Sequence, residues 1–325
     1  MSVIVGIDVG GTTISGGLVT DQGEILAVVR RGTASNGAGR AVETMLGVTD
    51  ELIAQAERRR LRLDGVGIGL PGLVDAEKGM MVDDSNFVPE FAHVPLAEAV
   101  HGRTGVPVFV DNDVNVLALG EWTFGAARGA SSIVVLAVGT GVGGGIIVGN
   151  RLVRGHAGCA AEFGHMVVDP AGPPCFCGSR GCLCLYVSGR HLEAAARADV
   201  TGHPASTLAA LRSGDGESPS AAVVFAAAAG GDGRARALVE EACRALGTAI
   251  ALAVNILNPE LVIVTGGVAR SLVSLEAALR QHAKAGALAR ALAATRILIL
   301  PGDKGQTMRG GAALVLYELA RRAEG

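Results

Sequence analysis

Cysteines cluster in the middle of the chain, next to a histidine. Four of the six cysteines lie between residues 175 and 184. The whole group is His165, Cys175, Cys177, Cys182 and Cys184. Thiolate sulfur and imidazole nitrogen are ligands that zinc prefers, and a structural zinc takes four of them in a tetrahedron. The group therefore predicts one bound zinc ion. Spacing alone permits either His165 with three cysteines or all four cysteines as the ligand set.

Two carboxylates lie at the ends of apolar runs. Asp113 follows the run 106–110 in the sequence Asp111-Asn112-Asp113. A carboxylate just beyond a strand can act as a general base on a hydroxyl group. The same residues also suit the N-terminal cap of a helix, and the two roles are compatible. Asp8 ends the first apolar run, and it would act on a phosphate through a magnesium ion because two negative charges repel.

Three glycine-rich turns follow predicted strands. Gly10-Gly11-Thr12-Thr13 and Gly139-Thr140-Gly141 each connect two such strands, so this layout occurs twice. Glycine lets backbone N–H groups approach a phosphate because it has no side chain. A third turn, Gly266-Gly267, precedes a predicted helix, whose N-terminus can meet another part of a nucleotide. A single Gly-Gly pair is also an ordinary hairpin signal, but the repeat favours two related lobes that bind one nucleotide.

The elements that position these residues alternate between strands and helices, which predicts an α/β protein with a mixed sheet. Apolar, β-branched runs predict strands at 3–9, 14–19, 25–29, 66–70, 106–110, 131–138, 146–148, 261–264 and 297–300. Helical periodicity predicts helices at 40–60, from 96, at 114–122, 191–198, 235–257 and 308–322. Residues 199–235 are rich in Ala, Gly, Ser and Pro and predict a helix with a loop.

Length and charge exclude several classes of protein. A chain of 325 residues is long for one hydrophobic core, so two lobes are expected. The net charge of −3 argues against a nucleic-acid or membrane-surface binder. The N-terminus lacks the charged and long apolar regions of a signal peptide, and no apolar run is long enough to span a bilayer. We therefore expect a cytoplasmic protein, in which reduced thiols favour a metal site over disulfides.

Together, the motifs resemble the ROK family of sugar kinases along the whole chain. The most specific of them are Asp8-x-Gly-Gly-Thr, Asp111-Asn-Asp113-x-Asn115, Glu162-x-Gly-His165 and Cys175-x-Cys177-Gly-x-x-Gly-Cys182. The family also includes transcriptional repressors with an N-terminal helix-turn-helix domain. Because this chain starts directly at the first glycine turn, we expect the kinase branch.

The resemblance implies a fold and an assembly. The expected fold is the two-lobed actin/hexokinase-like ATPase fold, which is ribonuclease H-like, with a zinc-binding loop at 162–184. A small α/β lobe is expected at 1–112 plus 307–325, and a large α/β lobe at 113–306. The family resemblance also implies a homodimer or homotetramer.

The resemblance further implies ATP-dependent phosphorylation of the 6-hydroxyl of a hexose, with Asp113 as the general base. The positions that match the sugar contacts are Gly72, Asn86, Asn112, Asp113, Glu162 and His165. Mg²⁺ and ATP would be held by Asp8, Gly10, Gly11, Thr12, Thr13, Gly139, Thr140, Gly141, Gly266 and Gly267. A structural Zn²⁺ would be held by His165, Cys175, Cys177 and Cys182, and His165 would also contact the sugar.

One sugar position departs from the family pattern. The family has Gly-Cys-Leu-Glu where this chain has Gly181-Cys182-Leu183-Cys184, so Cys184 replaces a carboxylate that bonds the sugar. A thiol is a weak hydrogen-bonding group. This favours a modified sugar, such as an aminohexose of the kanosamine or mannosamine type, over unmodified glucose.

Two other functions are compatible with the same fold. A non-catalytic sugar-sensing regulator is disfavoured by the intact Asp8, Asp113 and glycine turns. An acyl or polyphosphate phosphotransferase is disfavoured by the sugar-contact set of Asn112, Glu162 and His165.

Overall fold

The computed structural model describes residues 1–82, 88–202 and 220–324. The chain forms two compact units. The first comprises Met1–Ser131, Gly145–Ala160 and Asp303–Gly325, and the second comprises Ser132–Gly144 and Ala161–Gly302. The lobes expected from the resemblance, 1–112 plus 307–325 and 113–306, have other boundaries, and they stay a prediction.

A five-stranded mixed sheet organises the first unit. Its order is β3-β2-β1-β4-β7, in which β1 to β3 are antiparallel, whereas β4 and β7 run parallel to β1. The strands are β1 (Ser2–Val9), β2 (Thr13–Val19), β3 (Ile25–Gly32), β4 (Arg62–Leu70) and β7 (Val108–Asn112). The short strands β5 (Val74–Asp75) and β6 (Met80–Met81) form a separate antiparallel pair.

Helices cover this sheet. They are α1 (Ala41–Arg58), α2 (Leu96–Thr104), α3 (Asp113–Thr123) and α11 (Lys304–Glu324). The buried face of α1, with Met45, Val48 and Leu52, belongs to the hydrophobic core of the first unit. On α11, Gly311 lies so close to β4 that a Cβ at Gly67 would overlap its carbonyl. Gly311 therefore allows close helix–sheet packing, whereas its neighbour Gly310 allows close packing against Val116 of α3.

The second unit is built on parallel strands with helices around them. The strands β8 (Ile133–Val138), β11 (Leu261–Thr265) and β12 (Arg296–Ile299) are parallel. The strand order of their sheet is β10-β9-β8-β11-β12. β10 (Arg151–Leu152) and the part of β9 (Val142–Val148) from Gly145 onward belong to the first unit, whereas the start of β9 belongs with β8, β11 and β12 to the second unit. Its helices are α4 (Cys184–Val187), α5 (Gly189–Gly202), α6 (Ala221–Ala229), α7 (Gly233–Leu257), α8 (Ala269–Leu272), α9 (Glu276–Gly286) and α10 (Ala289–Ala294). Three-residue helical turns lie at Pro89–Phe91, Phe163–His165 and Val273–Leu275.

The α/β architecture and the mixed sheets confirm the predicted fold class. Every predicted strand is present, although the strand expected at 146–148 begins at Val142. The last helix begins at Lys304 rather than at Met308. Part of the predicted helix and loop at 199–235 lies outside the described residues, and the remainder contains α6 and the start of α7. Within the described ranges, no helix has both the length and the hydropathy that a bilayer span needs.

Candidate active site

The start of α3 lies at the carboxyl edge of the first sheet. The parallel strands β1, β4 and β7 place Asp8 in register with Gly69, and Gly69 in register with Asp111. Because parallel strands end at the same edge, the first glycine turn and the residues after β7 lie at one edge of the first unit. This is the location that the strand pattern predicts for Asp8 and Asp113.

Asn112 is the N-terminal cap of α3. Its Oδ1 accepts hydrogen bonds from the backbone N–H groups of Val114 at 2.9 Å and Asn115 at 3.3 Å. Its Nδ2 donates to the carbonyl of Gly72 at 3.1 Å. Asp113 is the first residue of the helix and is half-buried, and its Oδ1 accepts from the N–H of Val114 at 3.0 Å. The N-terminus of a helix favours negative charge, which suits a carboxylate that must be ionised to act as a base.

Asp111 is buried behind this cap. One carboxylate oxygen accepts from the N–H of Asn112 at 2.8 Å and from Nδ2 of Asn115 at 2.9 Å. The other oxygen accepts from Nε of Arg154 at 2.7 Å, and Arg154 also pairs with Glu318 at 2.6 Å. Burial alone would lower the pKa of the Arg154 guanidinium, but the charges of Asp111 and Glu318 outweigh burial and raise it.

Sequence reasoning did not identify Arg154 or Glu318. Their partners lie 43 and 164 positions away in the chain, so no local spacing reveals them. A signal was present in α11, where Glu318 follows Gly311 and Leu314 at helical spacing and therefore lies on the apolar face. A carboxylate at a buried helical position requires a charged or hydrogen-bonding partner.

The first glycine turn closes the hairpin between β1 and β2. The N–H of Gly10 donates to the carbonyl of Thr13 at 3.0 Å. Thr33, which the motif did not single out, supports the turn because its hydroxyl donates to the carbonyl of Gly10 at 2.6 Å. Gly11 and Thr12 are exposed, and Asp8 is buried at the end of β1. The turn therefore presents exposed backbone beside a carboxylate, a combination that can bind a phosphate and a magnesium ion.

The other two glycine turns lie together in the second unit. They follow β8 and β11, which are parallel and paired in register. Gly266 has a φ of 104° and lies so close to β8 that a Cβ there would be 2.5 Å from the carbonyl oxygen of Val138. At the neighbouring turn, the N–H of Gly189 at the start of α5 donates to the carbonyl of Gly139 at 2.8 Å. The second unit thus brings residues 139–141, residues 266–267 and the N-terminus of α5 to one edge.

Glu162 and His165 lie on a helical turn that packs against the start of β9. The N–H of His165 donates to the carbonyl of Glu162 at 3.0 Å, and Gly164 lies against the carbonyl of Val142. Desolvation raises the pKa of Glu162, and the charge of His165 opposes this. Because Glu162 is exposed, solvent screens much of the effect.

Four ligand atoms meet beside this turn. Those of His165, Cys175, Cys177 and Cys182 all lie within 4.8 Å of one another. Cys177 Sγ is 3.6 Å from Cys182 Sγ, and Cys175 Sγ is 3.7 Å from His165 Nδ1. A tetrahedral zinc with Zn–S bonds of about 2.3 Å requires ligand separations of roughly 3.8 Å. The donor set and its geometry therefore fit zinc.

Cys184 lies beside this group. Its Sγ is 3.9 Å from Cys175 Sγ, and Cys184 is the first residue of α4. Leu183 is helical, so the segment from Cys182 to Cys184 is not extended. Burial raises the pKa of the Cys184 and Cys182 thiols to about 12. Burial also acts on Cys175, but hydrogen bonds, first from Cys177 and then from His165, lower its pKa to about 7.

The family model described as "ROK family" matches residues 4–318. This chain belongs to the ROK family. A glucokinase of Thermotoga maritima is 40% identical over 273 residues, which cover 82% of this chain and 83% of that protein. A ROK family glucokinase from Streptomyces griseus, solved in complex with glucose and AMPPNP, has a TM-score of 0.74 and 32% identity, over 99% of this chain and 100% of that one. A ROK family transcriptional regulator, a homolog of the E. coli MLC protein, has a TM-score of 0.82 and 27% identity, over 99% of this chain and 81% of that one.

The family-model match confirms the predicted ROK family. The solved ROK glucokinase confirms the predicted actin/hexokinase-like fold. The structure also contains the predicted Cys/His group, which is able to bind zinc.

The structure divides the predicted site residues between the two units. Asp8, residues 10–13, Gly72, Asn112 and Asp113 lie in the first unit, whereas residues 139–141, Glu162, His165, the cysteines and residues 266–267 lie in the second. Asn86 lies outside the described residues. The roles of these residues stay predictions.

Proposed function

We propose that the protein is an ATP-dependent kinase that phosphorylates the 6-hydroxyl of a hexose. The observation that carries the proposal is the position of Asp113, which begins α3 at the carboxyl edge of the sheet beside the capping residue Asn112. The 40% identical glucokinase and the similar glucokinase solved with glucose and AMPPNP support the same activity.

Asp113 accepts the proton of the 6-hydroxyl as that oxygen attacks the γ-phosphorus of ATP. A bond forms between this oxygen and phosphorus, the bond from phosphorus to the β,γ-bridging oxygen breaks, and ADP leaves. Because such a transfer depends mainly on positioning and on neutralised charge, the protein must fix the hydroxyl and the phosphates precisely. Asn112 and Gly72 hold the sugar on the side of Asp113, and Glu162 and His165 supply further contacts.

The glycine turns bind the nucleotide. Residues 10–13 and 139–141 offer backbone N–H groups to its phosphates, and residues 266–267 hold the adenosine. Asp8 holds Mg²⁺ through its carboxylate, and the ion neutralises phosphate charge when it is bound. The buried position of Asp8 beside the exposed turn supports this assignment.

The zinc site is structural in this proposal. His165, Cys175, Cys177 and Cys182 hold the ion, with Nδ1 of His165 as the coordinating nitrogen because it faces Cys175 Sγ. The other ring nitrogen, Nε2, is then left for a sugar hydroxyl. A bound zinc fixes the loop 162–184 and the orientation of the imidazole.

The preferred sugar depends on Cys184. A thiol there replaces a carboxylate, and a lost buried hydrogen bond costs about 1–3 kcal/mol. We therefore propose an acceptor that is a modified hexose, such as an aminohexose of the kanosamine or mannosamine type. A panel of hexoses and aminohexoses with coupled detection of ADP tests this. Glucose used with a higher kcat/KM than every aminohexose would contradict the specialised acceptor and leave the kinase assignment intact.

The Asp113→Asn variant tests the reaction itself. Loss of a general base lowers kcat by about 10²–10⁴-fold, and calorimetry should still detect sugar binding. The exposed Asp50 offers a matched control, and Asp50→Asn should keep the wild-type kcat. Wild-type turnover in Asp113→Asn would exclude Asp113 as the base. Sugar affinity without phosphate transfer to any hexose would favour the regulator instead.

A further inference from the structure

Arg154 is the centre of a charge network inside the first unit. Its Nε and Nη2 both lie 2.7 Å from Oδ2 of Asp111, and Nη2 lies 2.6 Å from Oε1 of Glu318. The side chains of Asp111 and Glu318 are only 3% and 6% exposed, whereas that of Arg154 is 21% exposed. One guanidinium therefore joins two carboxylates that have almost no access to water.

Asp111 connects this network to the start of α3. Oδ1 of Asp111 accepts hydrogen bonds from the N–H of Asn112 and from Nδ2 of Asn115. These bonds fix the peptide that joins Asp111 to Asn112, one residue before Asp113, and the side chain of Asn115 one turn further on. The carboxylate that Arg154 orients through Oδ2 therefore sets, through Oδ1, the backbone from which Asp113 projects.

On the other side of the network, α11 and β10 fix Arg154 and Glu318. The N–H of Leu152 in β10 donates to the hydroxyl of Tyr317 at 3.1 Å, two residues before Arg154. Oε2 of Glu318 accepts from Nε of Arg321 at 3.0 Å, so both oxygens of this carboxylate are hydrogen-bonded. The backbone near Arg154 and its guanidinium are thus both fixed by one helix, which gives the network a rigid base.

We infer that Arg154 is a positioning residue for Asp113, acting through Asp111 in the phosphate transfer proposed above. This inference rests on the proposed function and extends it to a residue that touches neither sugar nor nucleotide. Without the guanidinium, two buried negative charges lose their common partner. Asp111 must then turn towards water or another donor, and the peptide of Asn112 moves with it. Displacement of a catalytic group by about 1 Å can lower the rate by roughly 10²-fold.

The experiment compares Arg154→Met with wild type in steady-state kinetics. We expect kcat to fall by about 10–100-fold. The KM for ATP should stay unchanged, because the Asp111 carboxylate bonds to Asn112, Asn115 and Arg154 rather than to the turn at residues 10–13. The matched control is Arg103→Met, which removes an exposed ion pair between Arg103 and Asp50 of 2.7 Å in the same unit. This control should keep the wild-type kcat.

A second variant separates positioning from stability. In Arg154→Met, the buried carboxylate of Glu318 loses Arg154 and keeps Arg321, whose side chain is 52% exposed. In the double variant Arg154→Met with Glu318→Gln, this buried charge is gone, so the melting temperature should recover relative to Arg154→Met. The kcat should remain low, because Asp111 still lacks its guanidinium.

Arg154→Lys keeps one positive charge without the planar fork of donors, so its kcat should lie between those of wild type and Arg154→Met.

The outcomes are distinct. A low kcat in the double variant together with a recovered melting temperature supports the inference. A kcat within about threefold of wild type in folded Arg154→Met or in the folded double variant would overturn it, since the effect expected from displacement is tenfold or more. A kcat that recovers in step with the melting temperature would also overturn it. If wild-type protein phosphorylates no hexose, the proposed function fails and the inference fails with it.

Discussion

Two regions carry the proposed sugar contacts, and different chemistry holds each of them. The start of α3 is held by a charge network whose members lie 43 and 164 positions apart in the chain. The loop 162–184 is held by four ligand atoms from a single short segment. The first arrangement exists only when α11 is folded onto the sheet, whereas the second can close locally around an ion. The stability of the first therefore depends on the whole unit, and that of the second would depend on the proposed metal.

The largest difference between the two regions should follow removal of the proposed metal, which should affect the loop 162–184 and leave the start of α3 unchanged. We expect Cys182→Ser to lose bound zinc and to lower kcat/KM for the sugar by about 10–100-fold, as changes around metal sites do. Hydrogen exchange should accelerate in residues 162–184 and stay unchanged at Val114 and Asn115, whose N–H groups bond to the α3 cap. Elemental analysis and exchange mass spectrometry provide the two measurements.

The control for metal removal is Cys159→Ser, because Cys159 is exposed and lies outside the ligand group. It should keep zinc and activity. If Cys182→Ser keeps its zinc, the proposed ligand set is incorrect. A loss of zinc in Cys184→Ser with retention in His165→Ala would instead identify the four-cysteine set.

The same contrast explains what could be predicted from the sequence. The strands, the glycine turns and the Cys/His group have local spacings, so their positions follow from periodicity and composition. The choice of His165 rather than Cys184 as the fourth zinc ligand rests on the family resemblance. Cys184 was harder to place, because a helical turn at Leu183 brings its sulfur towards Cys175. Arg154 and Glu318 could not be paired, because only the packing of α11 against the sheet brings them together with Asp111.

Loss of the cap at Asn112 should have a smaller effect, confined to the first region. Asn112→Ala removes the acceptor for two backbone N–H groups and the donor to Gly72. The free energy of unfolding should fall by about 1 kcal/mol, the usual value of an N-cap. The single tryptophan, Trp122, lies in the same helix, so its fluorescence in urea reports the change directly.

Zinc content should be unaffected by Asn112→Ala, because the ligand group lies in the other unit. Asn112→Ser keeps an oxygen that can cap the helix and should recover most of the lost stability. Equal destabilisation by both substitutions would show that the hydrogen bond to Gly72, rather than the cap, stabilises the start of α3.

The smallest expected effect is a gain in stability on the side of the zinc loop. Ala161, directly before Glu162, has a φ of 66°, a left-handed conformation that favours glycine. Its carbonyl accepts from the N–H of Phe163 at 2.7 Å, so this strained residue belongs to the turn that carries His165. Ala161→Gly relieves the strain but also increases the conformational freedom of the unfolded chain, which leaves a net gain of about 0.5–1 kcal/mol.

Urea unfolding followed by circular dichroism measures this gain, and the neighbouring Ala160 supplies the control. Ala160 does not have a positive φ, so Ala160→Gly should lower the free energy of unfolding by about 0.5–1 kcal/mol. The cap residues 111–115 likewise include no positive φ. Of these two regions, the one with a left-handed non-glycine residue is therefore the proposed zinc loop, where a bound metal would offset the strain. If both alanine substitutions lower stability equally, surrounding contacts rather than φ determine the conformation of Ala161.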